Sequence, residues 1–405
     1  MTTPKDFGFN DDINMLKDTY AKFLLEQKTI EALRPSLSGT EDPYHGAPRQ
    51  AFFDTQNWQK TVELGMHAVA IPEAQGGIGM GLVAATAIAE EIGRSALPTP
   101  LSNNLLATFL LRAADTQPAK QLLEEMAEGA SVGLALYGED GSLEADSTDV
   151  QARDGKLVGT AWYVTDAQKC DILIVAAQTQ DGVDLFRVNR QDATVSVSPD
   201  RIVDLTRDQA GVTFASSDAA PLTEKGQGAN CLNNALPALL TLTAADIAGA
   251  AEWQLQATAD YAKVRQQFER PIGFFQAVKH PIVDMMIAVD ETRSLVYQAA
   301  AAFDFDPDDA ARCAHLAKSS ASDTAEFCAN RSTQLHGGIG FTWEADVQVY
   351  HKRQMHLKST LLKRFPYSNI RNESLISITG LLQFENQVFL WKQNLTSSSP
   401  YIDNF

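Results

Sequence analysis

The sequence predicts an α+β protein in which two helical regions flank a β-rich middle. Up to about residue 128, apolar residues recur at helical spacing. From about residue 131 to 221, short β-prone segments alternate with Gly and Asp, and from about residue 230 long alanine-rich runs return. This order differs from the regular strand–helix alternation of a doubly wound fold. We therefore predict a helical domain at 1–128, a β-domain at 129–225 and a helical bundle at 226–365.

Each region is assigned from its own segments. The helical segments of the first region are 11–26, 54–69, 83–92, 105–111 and 119–126, and the β-prone segments are 132–137, 156–158, 161–165, 171–177 and 183–188. The third region holds the long runs 237–268, 274–303 and 308–335, the last of which stops at Gly337 and Gly338. No alanine follows Ala345, and residues 366–405 are interpreted as an atypical extension with no assigned packing.

Composition restricts the functional classes. The chain has 405 residues, 44% of them hydrophobic and 21% charged, as expected of a globular protein with two or three domains. Its formal net charge of −18 argues against nucleic acid or an anionic membrane as a partner. Scattered cysteines, no apolar N-terminal stretch and no apolar run of membrane-spanning length lead us to expect a cytoplasmic location.

The segment 265–276 combines groups that bind phosphate with groups that bind a planar ring. Arg265 offers a planar fork of donors, Phe268 is expected one turn further with an aromatic face, and Gln276 offers an amide. Pro271 forces the chain out of the preceding helix. An isolated Arg-x-x-Phe is usually a solvated arginine beside a core phenylalanine, but the whole string is more specific than that.

A second segment, 334–344, follows the next two long helical runs. Gln334 precedes Gly337 and Gly338, whose backbone can approach a pyrophosphate closely and donate N–H groups to it. Two glycines after a helix are commonly a plain cap. The continuation Gly-Phe-Thr-Trp-Glu at 340–344 makes this segment more specific.

Other candidate sites give weaker signals. Tyr163, Val164 and Thr165 lie on a β-prone segment, where an aromatic ring and a hydroxyl could contact a planar ligand ring, although the pattern is also ordinary for a strand. The histidines, including His351 and His356, show no metal-ligand spacing, and solvated or capped side chains are expected for them. We predict no metal site.

Together the two segments resemble the FAD-binding signatures of the acyl-CoA dehydrogenase family, and the resemblance covers roughly residues 10–360. It implies a helical N-terminal domain, a middle β-barrel or sandwich, and a C-terminal four-helix bundle. It also implies α,β-dehydrogenation of an acyl-CoA thioester, with FAD as cofactor and an electron-transfer flavoprotein or similar acceptor. The residues that the resemblance places against FAD across a subunit interface are Arg265, Phe268, Gln276, Gln334, Gly337 and Gly338, and those behind the flavin ring are Tyr163, Val164 and Thr165.

The sequence departs from the family where the chemistry occurs. The usual position of the family's catalytic glutamate falls near Leu361, and its alternative position falls at Leu239. A leucine cannot accept the α-proton. The Asp-x-x-Arg-like element for the CoA adenine is replaced at 237–240, and the threonine–glutamate–proline loop is replaced at 136–142.

The resemblance therefore implies a non-catalytic subunit that completes the FAD site of a homologous catalytic subunit in an α2β2 assembly. The segment 340–344 is similar to dehydrogenases of bacterial steroid side-chain or other bulky acyl-CoA breakdown. One alternative is a self-sufficient homotetramer with a relocated base. Its candidates are Asp246, which is expected to cap packing or face solvent, and Glu344, which is expected to order the loop after the glycines. The other alternative is a flavin-free protein that retains the fold as a scaffold.

Overall fold

Helices form the N-terminal part of the chain because apolar side chains recur there every three or four residues. Polar side chains cap two of them: Asp54 accepts hydrogen bonds from the backbone of the following turn, and Thr116 accepts one from Ala119. The helices are α1 (Asp11–Gln27), α2 (Thr55–Glu63), α3 (Leu82–Ser95), α4 (Leu101–Ala114) and α5 (Gln117–Ala127). The computed structural model describes residues 4, 6–27, 30–31, 53–144 and 147–361, so the extension predicted at 366–405 lies outside the described residues.

Helix α3 has no side-chain cap of its own, and a distant residue caps it instead. Asp304, from a later helix, accepts hydrogen bonds from the backbone N–H groups of Leu82 and Val83 at 2.9 and 3.0 Å. Gly81 makes room for this carboxylate, because a Cβ at that position would lie 2.3 Å from Asp304 Oδ2. The start of α3 is therefore determined by tertiary contact.

The middle of the chain forms an eight-stranded mixed sheet. Its path runs β6-β7-β3-β2-β4-β5-β8, and β1 pairs in parallel with β4 off that path. The strands are β1 (Val132–Ala135), β2 (Gln151–Arg153), β3 (Lys156–Thr165), β4 (Ile172–Thr179), β5 (Gly182–Asn189), β6 (Val195–Pro199), β7 (Gln209–Asp218) and β8 (Ala220–Pro221). The β-prone segments predicted from the sequence correspond to β1, β3, β4 and β5, whereas the other strands, whose residues are more polar or fewer, were not predicted.

The sheet separates two hydrophobic cores, as β4 illustrates. Ile172 and Ile174 pack into the core shared with the N-terminal and C-terminal helices. Leu173 and Val175, which point to the opposite face, pack into a second core within the β region. A strand buried on both faces carries a continuous apolar run, which is why 171–177 was easily recognised.

The C-terminal part is a bundle of three long helices and one shorter helix. They are α6 (Gly228–Val264), α7 (Gln276–Phe305), α8 (Pro307–His336) and α9 (Val347–Ser359), with the short strands β9 (Gln266–Gln267) and β10 (Arg270–Pro271) between α6 and α7. The prediction that the first run continues to 268 was wrong, because the chain turns into the β9–β10 hairpin after Val264. Pro237 lies inside α6, where the prediction had placed the start of that helix.

Helix α6 is the central helix of the structure. It is long and apolar enough to cross a membrane by length and composition, but 89% of the relevant window is buried inside the protein, as in the core helix of a globular fold. It crosses α3 in close backbone contact, which two glycines without side chains permit. A Cβ at Gly93 would lie 1.9 Å from the backbone oxygen of Asp246, and one at Gly249 would lie 1.9 Å from that of Glu90.

Candidate functional site

A cavity of about 290 Å³ lies where the N-terminal helices, the sheet and the bundle meet. Its apolar wall is dominated by leucines from α4, β1, α6 and α9: Leu105, Leu106, Leu134, Leu136, Leu239, Leu242, Leu357 and Leu361. Its polar wall contains Asn103, Tyr163, Thr165, Arg207, Gln209, Thr243, Asp246 and His356. The cavity is therefore lined both by apolar side chains and by groups that can form hydrogen bonds.

A β-bulge places Tyr163 at this cavity. The register between β3 and β7 shifts between Ala161 and Val164, and Tyr163 has a φ of +54°. Its hydroxyl donates a hydrogen bond to the backbone oxygen of Glu139 at 2.9 Å. Of the three residues predicted to lie behind a flavin ring, Tyr163 and Thr165 line the cavity, whereas the side chain of Val164 is fully buried in the second core.

Both positions at which a catalytic carboxylate was sought line the cavity, and both are leucines. Leu239 is 1% exposed on α6. Leu361 follows α9, and its backbone N–H donates a hydrogen bond to the Tyr137 hydroxyl oxygen. Burial outweighs this bond and raises the pKa of Tyr137 to about 12, so the hydroxyl remains protonated. Neither leucine can take a proton from a ligand in the cavity.

Asp246, one candidate for a relocated base, lies in the cavity wall but is already engaged by two arginines. Arg353, fully buried, donates to both of its carboxylate oxygens at 2.8 Å, and Arg207 donates to Oδ2. The expectation that Asp246 caps packing or faces solvent was therefore wrong, since it is 4% exposed and ion-paired. Both carboxylate oxygens of Asp246 are therefore already occupied by charge-assisted hydrogen bonds from arginine. Glu344, the other candidate, is exposed and does not line the cavity.

The ionic cluster extends from Asp246 to His356, which was expected to be solvated or capped but is 11% exposed and lies between two polar side chains. The ring nitrogens of His356 lie 3.3 Å from Asp204 Oδ2 and 3.3 Å from Gln209 Oε1. Burial by itself raises the pKa of Asp204, but the hydrogen bond with His356 and the charges of His356, Arg353 and Arg207 outweigh it and hold that pKa well below its usual range. The spacing of His351 and His356 gave no sign of this, because the partners come from distant strands and loops.

The lowered pKa of Asp204 predicts how stability changes in acid. A carboxyl whose pKa is depressed on folding contributes stability above its unfolded pKa of about 3.9, and this contribution is lost as pH falls through the folded pKa. We expect the free energy of unfolding to fall below about pH 4, and the Asp204→Asn variant to show a flatter pH dependence there. Urea unfolding between pH 2 and pH 7 measures this, with the exposed Asp218→Asn as control; equal slopes for Asp204→Asn and wild type would contradict the prediction.

The predicted phosphate-binding and ring-binding residues lie outside the cavity, at one end of the bundle. Arg265, Phe268, Gln276, Gln334, Gly337 and Gly338 are all exposed, and none lines the cavity. Arg265 directly follows the end of α6, 19 positions after Asp246, and at a rise of about 1.5 Å per residue the two lie roughly 28 Å apart along the helix axis.

The first of these segments forms a hairpin, not a continued helix. Strands β9 and β10 pair around a two-residue turn at Phe268 and Glu269, which have φ values of +51° and +62°. Phe268 is therefore not one helical turn beyond Arg265, as predicted, and its ring is 84% exposed. Two residues in the left-handed region project this aromatic side chain away from the bundle.

The second segment lies beside the first because α6 and α8 end at the same end of the bundle. Tyr261, in the last turn of α6, stacks on His336 at the end of α8, with ring centroids 4.4 Å apart and planes 21° apart. Gly337 has φ +65° and ψ −142°, a conformation that favours glycine, and no atom lies within 4 Å of a Cβ added at Gly338. The two segments thus form one exposed surface, here called the bundle-end surface (265–276 and 334–340).

No group of three or more His, Cys, Asp or Glu side chains that could hold a metal ion occurs in the described ranges. The four cysteines are buried and free.

Comparison with known proteins agrees with this architecture. Residues 11–130 match the family model of the acyl-CoA dehydrogenase N-terminal domain, and residues 226–358 match that of the C-terminal domain. The acyl-CoA dehydrogenase IpdE2 of Mycobacterium tuberculosis is 32% identical over 344 residues, which cover 85% of this chain and 91% of that protein.

Two solved structures add to this likeness. A Tcur3481-Tcur3483 steroid acyl-CoA dehydrogenase variant has a TM-score of 0.76 and 26% identity, covering 86% of this chain and 92% of that one. The ChsE4-ChsE5 complex of M. tuberculosis has a TM-score of 0.73 and 25% identity, covering 87% and 93%. With its helical N-terminal part, central sheet and C-terminal bundle, this chain belongs to the acyl-CoA dehydrogenase family.

Proposed function

We propose that this chain is the non-catalytic subunit of a heteromeric, FAD-dependent acyl-CoA dehydrogenase and completes the FAD site of a homologous catalytic subunit. The observation that carries the proposal is the distance between the cavity and the bundle-end surface. The cavity has leucine at both base positions, Leu239 and Leu361, whereas the donors suited to a dinucleotide lie roughly 28 Å away along α6, exposed on the bundle-end surface. Groups that face outward at that distance are suited to a ligand held by a neighbouring subunit.

The bundle-end surface has the chemistry that the ADP half of FAD requires. Among the described residues, the side chains of Arg265, Gln276 and Gln334 have no hydrogen-bond partner, so their donors are free for a ligand. The open backbone at Gly337 and Gly338 permits close approach of a pyrophosphate. The exposed ring of Phe268 offers a face for the adenine. These six residues fit the cofactor, and in this proposal they bind and orient it.

The catalytic subunit supplies what this chain lacks. FAD, when bound, would be the acceptor of the hydride from the β-carbon of the acyl group. The α-proton needs a carboxylate base close to it, and neither Leu239 nor Leu361 can provide one. We therefore assign the base and the main acyl-CoA contacts to the partner, and an electron-transfer flavoprotein or similar protein to reoxidation.

The similarity to a steroid acyl-CoA dehydrogenase and to the ChsE4-ChsE5 complex supports two finer parts of the proposal. One is an α2β2 assembly with a homologous partner. The other is a bulky acyl-CoA substrate, such as a steroid-derived thioester. The cytoplasm is the compartment we propose for the assembly.

The test is reconstitution with a homologous acyl-CoA dehydrogenase from the same organism that carries a glutamate at one of the two base positions. Each protein is purified alone and together, and flavin content and acyl-CoA oxidation are measured with an artificial electron acceptor. We expect turnover only in the mixture, with FAD retained by the complex. Turnover by this chain alone would support a relocated base and refute the proposal. A colourless but stable complex would favour the flavin-free scaffold.

The Tyr261–His336 stack predicts a positioning effect at the bundle-end surface. Replacing Tyr261 by leucine removes a contact worth roughly 0.5–1.5 kcal/mol between the ends of α6 and α8. Because both FAD-binding segments begin at this contact, we expect the dissociation constant for FAD in the complex to rise by about 3- to 10-fold. Fluorescence titration of the deflavinated complex measures it.

The conservative Tyr261→Phe variant is the control for that prediction. It keeps an aromatic face against His336 and is expected to bind FAD like wild type. If Tyr261→Leu lowers only the thermal stability and leaves the FAD affinity unchanged, the stack is structural and does not position the ligand contacts.

A further inference from the structure

The outer face of α7 has apolar side chains exposed at helical spacing. Val283, Met286 and Ile287 are all exposed, and positions i, i+3 and i+4 lie on one side of a helix. Met285 and Val289, on the opposite side, are buried and pack into the bundle. A group of exposed apolar side chains on one helix face indicates a contact with another protein, because burial there removes apolar surface from water.

Polar side chains lie at both ends of this apolar group. Lys279 and His280 precede it, Asp290 and Glu291 follow it, and all four are exposed. Within the described ranges, none of these four side chains forms an ion pair or a hydrogen bond. Lys279 and His280 lie close to the N-terminus of α7, where the helix dipole favours anions instead of cations. These two residues therefore do not stabilise α7 itself, and all four side chains are free to contact another molecule.

The apolar residues are arranged symmetrically about Met285. Val283 and Ile287 are each two positions away from it, on the exposed side. If a second α7 lay antiparallel across this face, with a two-fold axis opposite Met285, Val283 of one copy would face Ile287 of the other. The same operation would bring Met286 beside Met286 of the second copy. The apolar group would thus be buried against itself at the centre of the contact.

The polar residues follow the same symmetry, with opposite charges at the two ends. Lys279 and Glu291 are each six positions from Met285, and His280 and Asp290 are each five. At 3.6 residues per turn, Lys279 and Asp290 lie on one side of the apolar line, whereas His280 and Glu291 lie on the other. In the antiparallel pair, Lys279 would therefore meet Asp290 of the second copy, and His280 would meet Glu291. A parallel arrangement would place Lys279 beside Lys279, which is unfavourable.

We propose that these residues form a self-complementary contact, here called the α7 face, through which two copies of this chain pair about a two-fold axis. The α7 face comprises Lys279, His280, Val283, Met286, Ile287, Asp290 and Glu291. This inference goes beyond the proposed function, since it concerns neither the bundle-end surface nor the cavity. In the proposed α2β2 assembly, the two copies of this chain would link two heterodimers. Contact along one pair of helices is small, so a micromolar dissociation constant is expected for the chain alone.

Asp284 distinguishes this geometry from a contact with a different protein. It is exposed one position before Met285, at the edge of the α7 face, so the two-fold axis brings it close to Asp284 of the second copy. The two like charges oppose pairing. We therefore expect Asp284→Asn to strengthen self-association by about 2- to 5-fold. A different protein on this face would give no reason for a tighter dimer of this chain.

The first experiment measures self-association by sedimentation velocity, with the full chain alone and in the reconstituted complex. Ile287→Asp places an unpaired charge at the centre of the contact and is expected to weaken self-association by about 100-fold or more. The control is Val203→Asp, because Val203 lies outside α7 and both side chains are 55% exposed. In the complex, Ile287→Asp should yield a heterodimer of half the mass, whereas Val203→Asp should retain the tetramer. Circular dichroism verifies that each variant is folded.

An exchange of charges tests the register. Lys279→Asp replaces two attractive pairs per dimer by two repulsive ones and is expected to weaken self-association about tenfold. Adding Asp290→Lys to the same chain restores opposite charges in both pairs and should return the dissociation constant to within about threefold of wild type. A merely structural effect of Lys279→Asp would not be reversed in this way.

Cysteine cross-linking identifies the neighbouring molecule. Two differently tagged copies, one with Val283→Cys and the other with Ile287→Cys, are co-expressed and oxidised, and the four native cysteines are buried. We expect a disulfide between the two copies. Much less product is expected when both copies carry Val283→Cys, because those two positions would lie about 6 Å apart along the helix axis.

Several outcomes would overturn the proposal. It fails if Ile287→Asp self-associates like wild type, if Asp290→Lys does not rescue Lys279→Asp, or if both cysteine arrangements cross-link equally. If the chain alone is monomeric and Ile287→Asp releases the catalytic subunit, that subunit occupies the α7 face and the proposal is wrong. If Ile287→Asp is unfolded, the charge exchange and the cross-linking still decide. These experiments measure mass and cross-links, whereas reconstitution measures flavin retention and turnover, so the two proposals fail independently.

Discussion

Replacing Arg265 by alanine is expected to raise the dissociation constant for FAD of the proposed heteromeric enzyme by about 10- to 100-fold, with no change in the stability of this chain. Charge-assisted hydrogen bonds between an arginine and a phosphate contribute roughly 1.5–3 kcal/mol. Stability should not change because the Arg265 side chain has no partner among the described residues and is exposed. Activity should return at high FAD concentration, because the cofactor's affinity is lowered and the base in the partner is intact.

The matched control is Arg312→Ala, which removes an exposed arginine paired with Asp309 on α8, away from the bundle-end surface. It is expected to bind FAD like wild type. Gln334→Ala should weaken FAD binding less than Arg265→Ala, because a neutral amide forms weaker hydrogen bonds with phosphate. If Arg265→Ala binds FAD normally in the complex, the bundle-end surface does not complete a partner's site, and the proposed function fails with it.

The second large effect is expected on stability, from Gly249→Ala at the crossing of α3 and α6. The new methyl group would lie 1.9 Å from the backbone oxygen of Glu90, and the neighbour is backbone in the middle of a helix, so no flexible side chain can move away. We expect the free energy of unfolding to fall by about 3 kcal/mol or more. Gly93→Ala should act similarly, since its methyl group would meet the backbone of Asp246.

Gly211→Ala is the control for that substitution. A Cβ at Gly211 would find only side-chain atoms of Thr160 and Trp162, at an ordinary 3.9 Å. On a strand it should be neutral or slightly stabilising. Chemical unfolding of the three variants measures the difference, and a Gly249→Ala protein as stable as wild type would show that the two helices can separate without cost.

Much of the fold could be predicted because the relevant signals are local. The period of apolar residues identified the helices of both helical regions, and the doubly buried strand β4 stood out as a continuous apolar run. The most polar strands were missed, because β6 and the outer half of β7 lie at the edge of the sheet, where alternate residues face solvent. The hairpin at 266–271 was read as helix, since its turn contains no glycine and holds Phe268 and Glu269 at positive φ.

In the candidate site too, some residues could be predicted from the sequence and others could not. Leu239 and Leu361 could be compared with the family by position, and both line the cavity. The role of Asp246 could not be obtained in that way. Its partners Arg207 and Arg353 lie 39 and 107 residues away in the chain, and an ion pair between such distant residues has no periodicity or spacing to detect.

The sequence by itself determined the class of fold, the family and the absence of a carboxylate at Leu239 and Leu361, and it predicts the residues that we propose for a dinucleotide. Each of these depends on residue identity or on short-range spacing. Only the tertiary structure decided that Arg265 and Gln334 share one exposed surface, and that Asp246 is bound by two arginines. The reason is physical, because packing brings together residues that are far apart in the chain. Helices α3 and α6 come into close backbone contact at Gly93 and Gly249, and α6 and α8 end at the same end of the bundle.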